Sequence, residues 1–231
     1  MAEIVDEWGN KDVLLDNKYQ DFYDKGLFAF KQDKDILESE DYKTKNGYKL
    51  EAETKETGDK IYSRNFPKYG KTFFASGVYD ISPELMFDIN YHQVEDIPKW
   101  NPNVSHVKKL ADISSHSFLN YVVFPDLFGV VSSRDFVDIL LWKKIGEVFY
   151  IAGHHVEYDQ MPKVKGKVRG ENQPALLRLA PVEGNAAQCQ LDWQVCIDMK
   201  GMLPRSLTDR VMHYQLIEYL KLLRKHVESK K

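Results

Sequence analysis

The sequence predicts an α+β domain in which an antiparallel sheet packs against one long C-terminal helix. Two observations carry this prediction. The middle of the chain consists of β-branched and aromatic runs separated by turn residues, which is typical of hairpin-connected strands. After Gly201 and Pro204 the hydrophobic period changes from two residues to three and four, as it does where a strand gives way to a helix. Strands followed by a separate helix are typical of the α+β class.

The composition limits the possible functions. The 231 residues, 43% of them hydrophobic, suffice for one domain with a large core. There are 32 basic and 35 acidic side chains, so the net charge is −3, without the basic surface of a general nucleic-acid binder. Two cysteines cannot form a disulfide framework, and no Cys/His cluster predicts a metal site. We therefore expect no nucleic-acid partner and no metal.

The N-terminal segment is acidic and lacks the apolar stretch of a signal peptide. No apolar run approaches the ~18 residues that span a bilayer. We expect an acidic tail over residues 1–16, a single domain over residues 17–231, and a cytoplasmic protein.

Two helices are expected before the central strands. Aromatic residues between Asn17 and Phe30 indicate an amphipathic helix, and the polar stretch 36–60 then favours short strands joined by hairpins. Ser82 followed by Pro83 is a helix start, with a capping hydroxyl and a proline in the first turn. We expect that helix to end before Pro98.

The central strands are predicted from runs of β-branched and aromatic residues. Turn residues between these runs mark where each strand ends. Cys189 and Cys196 lie an odd number of residues apart on one predicted strand, so they should face opposite sides and not form a disulfide. The strands are predicted over residues 118–124, 136–142, 148–156, 175–180 and 189–198.

The terminal helix has a broad apolar face. A capping-box-like start is predicted at 206–209, and the helix should run for about six turns as a core helix that could also roof a cavity. Its apolar stripe comprises Met212, Leu216, Tyr219, Leu220, Leu223 and Val227.

No sequence motif indicates catalysis. Nucleophile elbows, phosphate-binding loops and zinc-protease motifs are missing. His154 and His155 are adjacent on a predicted strand, so their rings should face opposite sides and could not chelate one metal. The same argument separates Asp135 from Asp138 and disfavours an acid–base pair. The basic stripe over 163–169 is interpreted as a solvated edge, with contact to an anionic membrane as the alternative.

Four stretches of the chain together resemble the motifs of one known family. In chain order they are Lys99-Trp100-Asn101, Gly129-Val130-Val131-Ser132-Ser133-Arg134-Asp135-Phe136-Val137, Val168-Arg169-Gly170-Glu171-Asn172-Gln173-Pro174 and Asp198-Met199-Lys200-Gly201-Met202-Leu203-Pro204. They are similar to motifs of the START domains, the lipid-transfer domains named after the steroidogenic acute regulatory protein. The likeness covers residues 17–229, and the last two stretches point to the sterol-binding branch, which has a carotenoid-binding member.

The resemblance implies a helix-grip fold, in which a curved antiparallel sheet wraps the long C-terminal helix and leaves an internal lipid tunnel. The loop between two central strands acts as a lid in the family and corresponds here to residues 125–133. Arg134, Asp135, Arg169 and Glu171 are expected to have structural roles rather than to contact the ligand.

The chain departs from the family at one pair of positions. The sterol branch often keeps a carboxylate and an arginine inside the tunnel. The arginine position is Leu140 here, and the carboxylate position falls on Tyr121 or Val122. Two buried charges need each other, so the loss of both is physically coherent. The tunnel should be more apolar than a typical cholesterol site, with Asn101, Asn120, Tyr121 and His154 as polar groups.

Mapping the tunnel wall of the family onto this sequence gives a set of candidate ligand-binding residues. It comprises Ile97, Trp100, Asn101, Asn120, Tyr121, Val122, Leu127, Phe128, Leu140, Trp142, Ile151, Gly153, His154, Trp193, Val195, Met212 and Leu216.

The resemblance implies a non-enzymatic carrier of one sterol or carotenoid molecule. We expect it to be monomeric, to need no cofactor besides the bound lipid, and to contact membranes transiently from the cytoplasm. The alternatives are a lipid-sensing scaffold that recruits a protein partner through the 125–133 loop and a cavity enzyme of the same superfamily.

Overall fold

The computed structural model describes residues 2–127 and 129–230. The helices are α1 (Gln20–Glu38), α2 (Glu40–Thr44), α3 (Pro83–Phe87), α4 (Ile97–Trp100) and α5 (Arg205–Glu228). The strands are β1 (Ala2–Val5), β2 (Lys11–Leu14), β3 (Lys49–Glu53), β4 (Lys60–Phe66), β5 (Gly70–Tyr79), β6 (His106–Ser114), β7 (Ser117–Phe124), β8 (Arg134–Ile145), β9 (Val148–His155), β10 (Val168–Arg169), β11 (Glu171–Asn172), β12 (Ala175–Val182), β13 (Asn185–Val195) and β14 (Ile197–Asp198). No helix in this part of the chain is long and apolar enough to cross a membrane.

The predicted α+β class is confirmed. One antiparallel sheet runs in the order β1-β2-β6-β7-β8-β9-β12-β13-β5-β4-β3, and the short β10 pairs parallel with β8. Because side chains alternate along a strand, the sheet has two apolar faces. Phe73 and Ala75 of β5 pack in the core with α5, whereas Phe74 between them packs in the core with α1. The sheet is therefore covered by α5 on one face and by α1 on the other.

The first helix is longer than predicted. It continues through residues 36–38, which we expected to begin a region of hairpins, and α2 follows before the first strand of that region. The buried side of α1 carries Phe30, Asp33 and Leu37 at helical spacing. Asp33 is fully buried in the middle of this stripe, so its charge hid the apolar pattern from sequence analysis.

The N-terminal residues are not a tail. They form a hairpin of β1 and β2, and β2 extends the sheet by pairing with β6. A buried lysine ties this hairpin to the rest of the fold. The Nζ atom of Lys143 lies 3.1 Å from Asp6 Oδ2 and donates to the Tyr23 hydroxyl at 3.2 Å. The partners of this charge are far apart in sequence, which is why the acidic composition alone suggested a solvated segment.

The segment from Ser82 to Trp100 is less regular than predicted. Ser82 caps α3 as expected, and its hydroxyl accepts from the Leu85 amide at 3.4 Å. After α3 the chain makes a π turn and a 3₁₀ turn. It then forms α4, which contains Pro98 in its first turn, where proline is tolerated because its missing N–H has no helical partner. The helix that Ser82 caps does end before Pro98, as predicted, because α3 stops at Phe87 and Pro98 belongs to the separate α4.

The terminal helix spans the predicted length and buries the predicted stripe. Leu216, Leu220, Leu223 and Val227 pack in the core that α5 shares with the sheet. The predicted capping box was wrong, because α5 begins one residue before Ser206 and Pro204 precedes it without a side-chain cap. The two cysteines form no disulfide, as predicted, and both are buried.

Candidate functional site

A cavity of about 260 Å³ lies between α5 and the face of the sheet that packs on it. Strands from β6 to β13 contribute to its wall, so the sheet wraps around the space that α5 covers. Most of the lining side chains are aliphatic or aromatic. Of the predicted ligand-binding residues, the structure places Ile97, Asn101, Asn120, Val122, Leu127, Leu140, Ile151, Gly153, Trp193, Val195, Met212 and Leu216 in this wall.

The pleat of two adjacent strands explains which side chains reach the cavity. On β8 the lining residues are Phe136, Asp138 and Leu140, at every second position. On the neighbouring β7 they include Asn120, directly opposite Asp138, and Val122, directly opposite Phe136. The even-numbered residues of both strands therefore form one patch of the wall.

This alternation decides between the two candidates for the missing carboxylate position. Val122 lies in the cavity wall, whereas Tyr121 points to the opposite face and donates its hydroxyl to Asp135 Oδ2 at 3.2 Å. Val122 and Leu140 are therefore the inward-facing pair, and neither carries a charge.

Tyr121 and three other predicted ligand-binding residues lie outside the wall. Trp142 is on the same face as Leu140 but one pleat further along β8, where it packs against Phe87 with ring centroids 5.1 Å apart. Aromatic side chains of the 83–92 segment and neighbouring strands fill that end of the sheet. Trp100 stacks on His226 at 5.1 Å and packs against Tyr219 of α5. These indoles support the fold around the cavity without lining it.

His154 points away from the cavity as well. Its ring stacks on Phe28 of α1 at 6.2 Å, and burial lowers its pKa. Contrary to the expectation of opposite faces, the Nδ1 atoms of His154 and His155 both lie close to the Asn172 carbonyl oxygen, at 3.1 Å and 3.0 Å. Strand β9 ends at His155, so strict alternation no longer holds there.

The loop over residues 125–133 covers one end of the cavity. Phe128, a predicted ligand contact, falls outside the described residues. Leu127 is 9% exposed and packs with Val131, Met199 and Val211, while Val130 is 64% exposed. The loop thus has an apolar underside against α5 and an apolar residue in solvent.

The four signature residues make structural contacts. Arg169 donates through Nε and Nη2 to the two oxygens of Asp135, at 3.1 Å and 2.9 Å. Arg134 donates to the Met199 carbonyl at 3.3 Å and also lines the cavity beside the loop. Glu171 pairs with Lys200 at 2.7 Å. These contacts join β8, β10 and the segment before α5.

Sequence reasoning missed several lining residues, of which Asp138 is chemically the most informative. It is 3% exposed, and its Oδ2 accepts from Asn172 Nδ2 at 2.7 Å. Burial raises the pKa of Asp138 to about 7. Because alternate residues of a strand share a face, Asp138 could have been assigned to the wall from its position two residues before Leu140. The others are Asn90, Val94, Val104, Val107, Phe124, Pro125, Val131, Ser132, Arg134, Phe136, Asn172, Ala175, Leu177, Ile197, Met199, Val211, Gln215 and Tyr219.

Comparison with known proteins decides the family. The START domain profile matches residues 31–231. The chain belongs to the START domain family. This START domain is 32% identical over 184 residues to the human mitochondrial steroidogenic acute regulatory protein, covering 79% of the chain and 64% of that protein. The chain thus spans less than two thirds of the human relative.

Other comparisons extend along nearly the whole START domain. The steroidogenic acute regulatory protein of Xenopus laevis is 29% identical over 235 residues, covering 97% of the chain and 80% of that protein. The structure of human StAR-related lipid transfer protein 5 superposes with a TM-score of 0.81 at 20% identity, covering 91% of this chain and 98% of that one. Human STARD10 gives a TM-score of 0.73 at 17% identity, covering 95% and 83%. These structures share the helix-grip fold.

Proposed function

We propose that this START domain holds one apolar molecule, a sterol or a carotenoid, and carries it between membranes. The supporting observation is the cavity of about 260 Å³ under α5, with its largely apolar wall. At ~0.8 kcal/mol per buried CH₂, a ligand of sterol size gains on the order of 20 kcal/mol before ordering and opening costs are subtracted. The names of the steroidogenic and lipid-transfer relatives agree with this proposal.

The absence of charge at Val122 and Leu140 affects which class of ligand the cavity can bind. A carboxylate and an arginine at these two positions of the wall would hold water inside the cavity. Two aliphatic side chains leave apolar contact surface instead. This part of the wall suits a long hydrocarbon body, which is why a carotenoid remains a candidate beside a sterol.

Release and uptake require the cavity to open, and we place the opening at the 125–133 loop. Val130 is 64% exposed and Met202, in the segment before α5, is fully exposed. Exposed apolar side chains on neighbouring loops suit insertion into a membrane surface. The proposed cycle is transient docking of a monomer from the cytoplasm, movement of the loop, and exchange of the ligand without a covalent step.

The decisive experiment identifies what the protein carries. The protein is isolated from its native source, its absorption spectrum is recorded, and the solvent extract is analysed by mass spectrometry. Visible absorbance with a co-extracting polyene would identify a carotenoid carrier, and a colourless protein that yields a sterol would identify a sterol carrier. An extract with no lipid at stoichiometric amount, together with no uptake of either lipid from vesicles, would contradict the proposal.

A further inference from the structure

The cavity wall contains one polar patch among its apolar side chains. Asp138 of β8 and Asn120 of β7 are direct cross-strand partners, and both line the cavity. They are 3% and 5% exposed. Asn172 completes the patch by donating its amide to Asp138 Oδ2 at 2.7 Å. The three side chains come from different strands and meet only in the folded protein.

Two oxygen atoms of this patch have no hydrogen-bond partner. Among the described residues, nothing donates to Asp138 Oδ1 or to Asn120 Oδ1. Buried acceptors without a donor are costly, so folded proteins rarely keep them unless something else supplies the donor. Asn120 Oδ1 is an acceptor, and Asp138 Oδ1 is one whenever its carboxyl is ionised, so the complementary group is a hydrogen-bond donor.

The groups around Asp138 do not supply such a donor to Oδ1. Arg169 favours the charged carboxyl through space, but its guanidinium is engaged by Asp135. His155 lies opposite Asp138 on β9, and its Nδ1 is directed at the Asn172 carbonyl. Burial raises the pKa of Asp138 to about 7, and in its ionised form the carboxyl is a strong acceptor.

We propose that this patch, through Asp138 Oδ1 or Asn120 Oδ1, accepts the hydrogen bond that a hydroxyl group of the bound molecule donates. This inference rests on the proposed carrier function and narrows its ligand class to apolar molecules that bear a hydroxyl. The patch would fix the orientation of the ligand, because only its hydroxylated end meets polar atoms. A hydrocarbon of the same shape would leave both acceptors unpaired and would therefore bind less tightly.

The test compares ligands that differ only in the hydroxyl. Purified protein is titrated with the fluorescent sterol dehydroergosterol and with its 3-deoxy analogue. A second arm uses β-cryptoxanthin and β-carotene, followed by visible absorption, so that the two lipid classes are distinguished. We expect the hydroxylated member of at least one pair to bind about tenfold more tightly, as for a buried hydrogen bond to a carboxyl group.

Substitutions in the polar patch test whether it causes the preference for the hydroxylated ligand. Asp138→Leu keeps the branched outline of the side chain but removes the acceptors, and should reduce the preference to about twofold or less while affinity for the hydroxyl-free ligand is retained. Asn120→Val should reduce the preference partially and serves as a second route if Asp138→Leu does not fold. Leu141→Met, three residues away on β8 but packed on the α1 side of the sheet, is the control and should keep the full preference.

The outcomes separate the inference from the function on which it rests. Equal affinity of the wild-type protein for both members of each pair would overturn the inference and leave the carrier function standing. A preference that survives in folded Asp138→Leu would also overturn it. Binding of none of the four ligands would count against the carrier function itself.

Discussion

The buried carboxyl of Asp33 should make the protein less stable as the pH rises toward neutrality. Asp33 lies on the buried side of α1 with 0% exposure, and no described residue donates a hydrogen bond to either oxygen. Burial raises its pKa from the ordinary 3.8 to about 7, and the Gln194 side chain, which lies near the carboxyl without forming a regular hydrogen bond to it, offsets part of this rise. The folded protein thus keeps a proton that the unfolded chain has released.

The sign of the effect follows from proton binding. Below pH 3.8 both states are protonated and the carboxyl favours neither. Between that value and about 7 the folded state binds more protons, so the free energy of unfolding falls as the pH rises. The linkage relation gives a fall on the order of 2 kcal/mol between pH 5 and pH 7 for one such group. Asp138, with its pKa also about 7, acts in the same direction.

Asp33→Asn removes this contribution. We expect the variant to be more stable than the wild type by on the order of 3 kcal/mol at pH 7 and by clearly less at pH 5. An asparagine can also donate to Gln194 Oε1, which receives no hydrogen bond from the described residues. Urea unfolding followed by circular dichroism at both pH values measures the free energies.

The matched control is Asp35→Asn on the same helix, because Asp35 is exposed. It should change neither the stability nor its pH dependence. The reasoning would be refuted if Asp33→Asn were destabilised at pH 7, or if its stability changed between pH 5 and pH 7 as steeply as that of the wild type.

Three further predictions concern the ligand, the membrane and the N-terminal hairpin. Leu140→Arg places an unpaired charge in the wall and should weaken binding of the extracted lipid more than tenfold, with Leu140→Met near wild type. Unchanged affinity in Leu140→Arg would contradict the assigned wall. Combining Val130→Asp with Met202→Asp should slow transfer between vesicles without changing equilibrium affinity, whereas Leu85→Asp, an exposed leucine of α3, should not. Equal slowing by both would argue against docking at the loop. Lys143→Met removes the cation beside Asp6 and Asp12, whose Oδ2 atoms lie 3.1 Å and 3.9 Å from Lys143 Nζ, and should lower the free energy of unfolding by about 3–5 kcal/mol. A loss below about 1 kcal/mol would show that the hairpin is not held by this charge.

Much of the architecture could be predicted from local patterns. The central strands and α5 were visible because their periods, two and three to four, are set by the geometry of strand and helix. The predictions of local structure were wrong where a charged side chain is buried. Asp33 interrupts the apolar stripe of α1, and Lys143 holds an acidic segment that composition alone assigns to solvent.

The residues of the cavity wall were likewise predicted only in part. Alternation along β7 and β8 places Val122 and Leu140 inside, and the resemblance to START domains supplied the strands on which to look. Neither the alternation nor the resemblance could show that Trp142, although on the cavity face of β8, lies beyond the end of the cavity. That depends on Phe87, which is packed there from a segment remote in sequence.

The sequence by itself determined the fold class, the family and the loss of a charged pair from the cavity. These depend on residue types at fixed spacing along one chain. The tertiary structure alone decided that Asp138, Asn120 and Asn172 meet, because register between β7 and β8 and the approach of β11 bring them together. It also decided that two of their oxygens lack donors. Hydrogen bonding depends on distances between atoms from separate strands, and sequence spacing does not encode those distances.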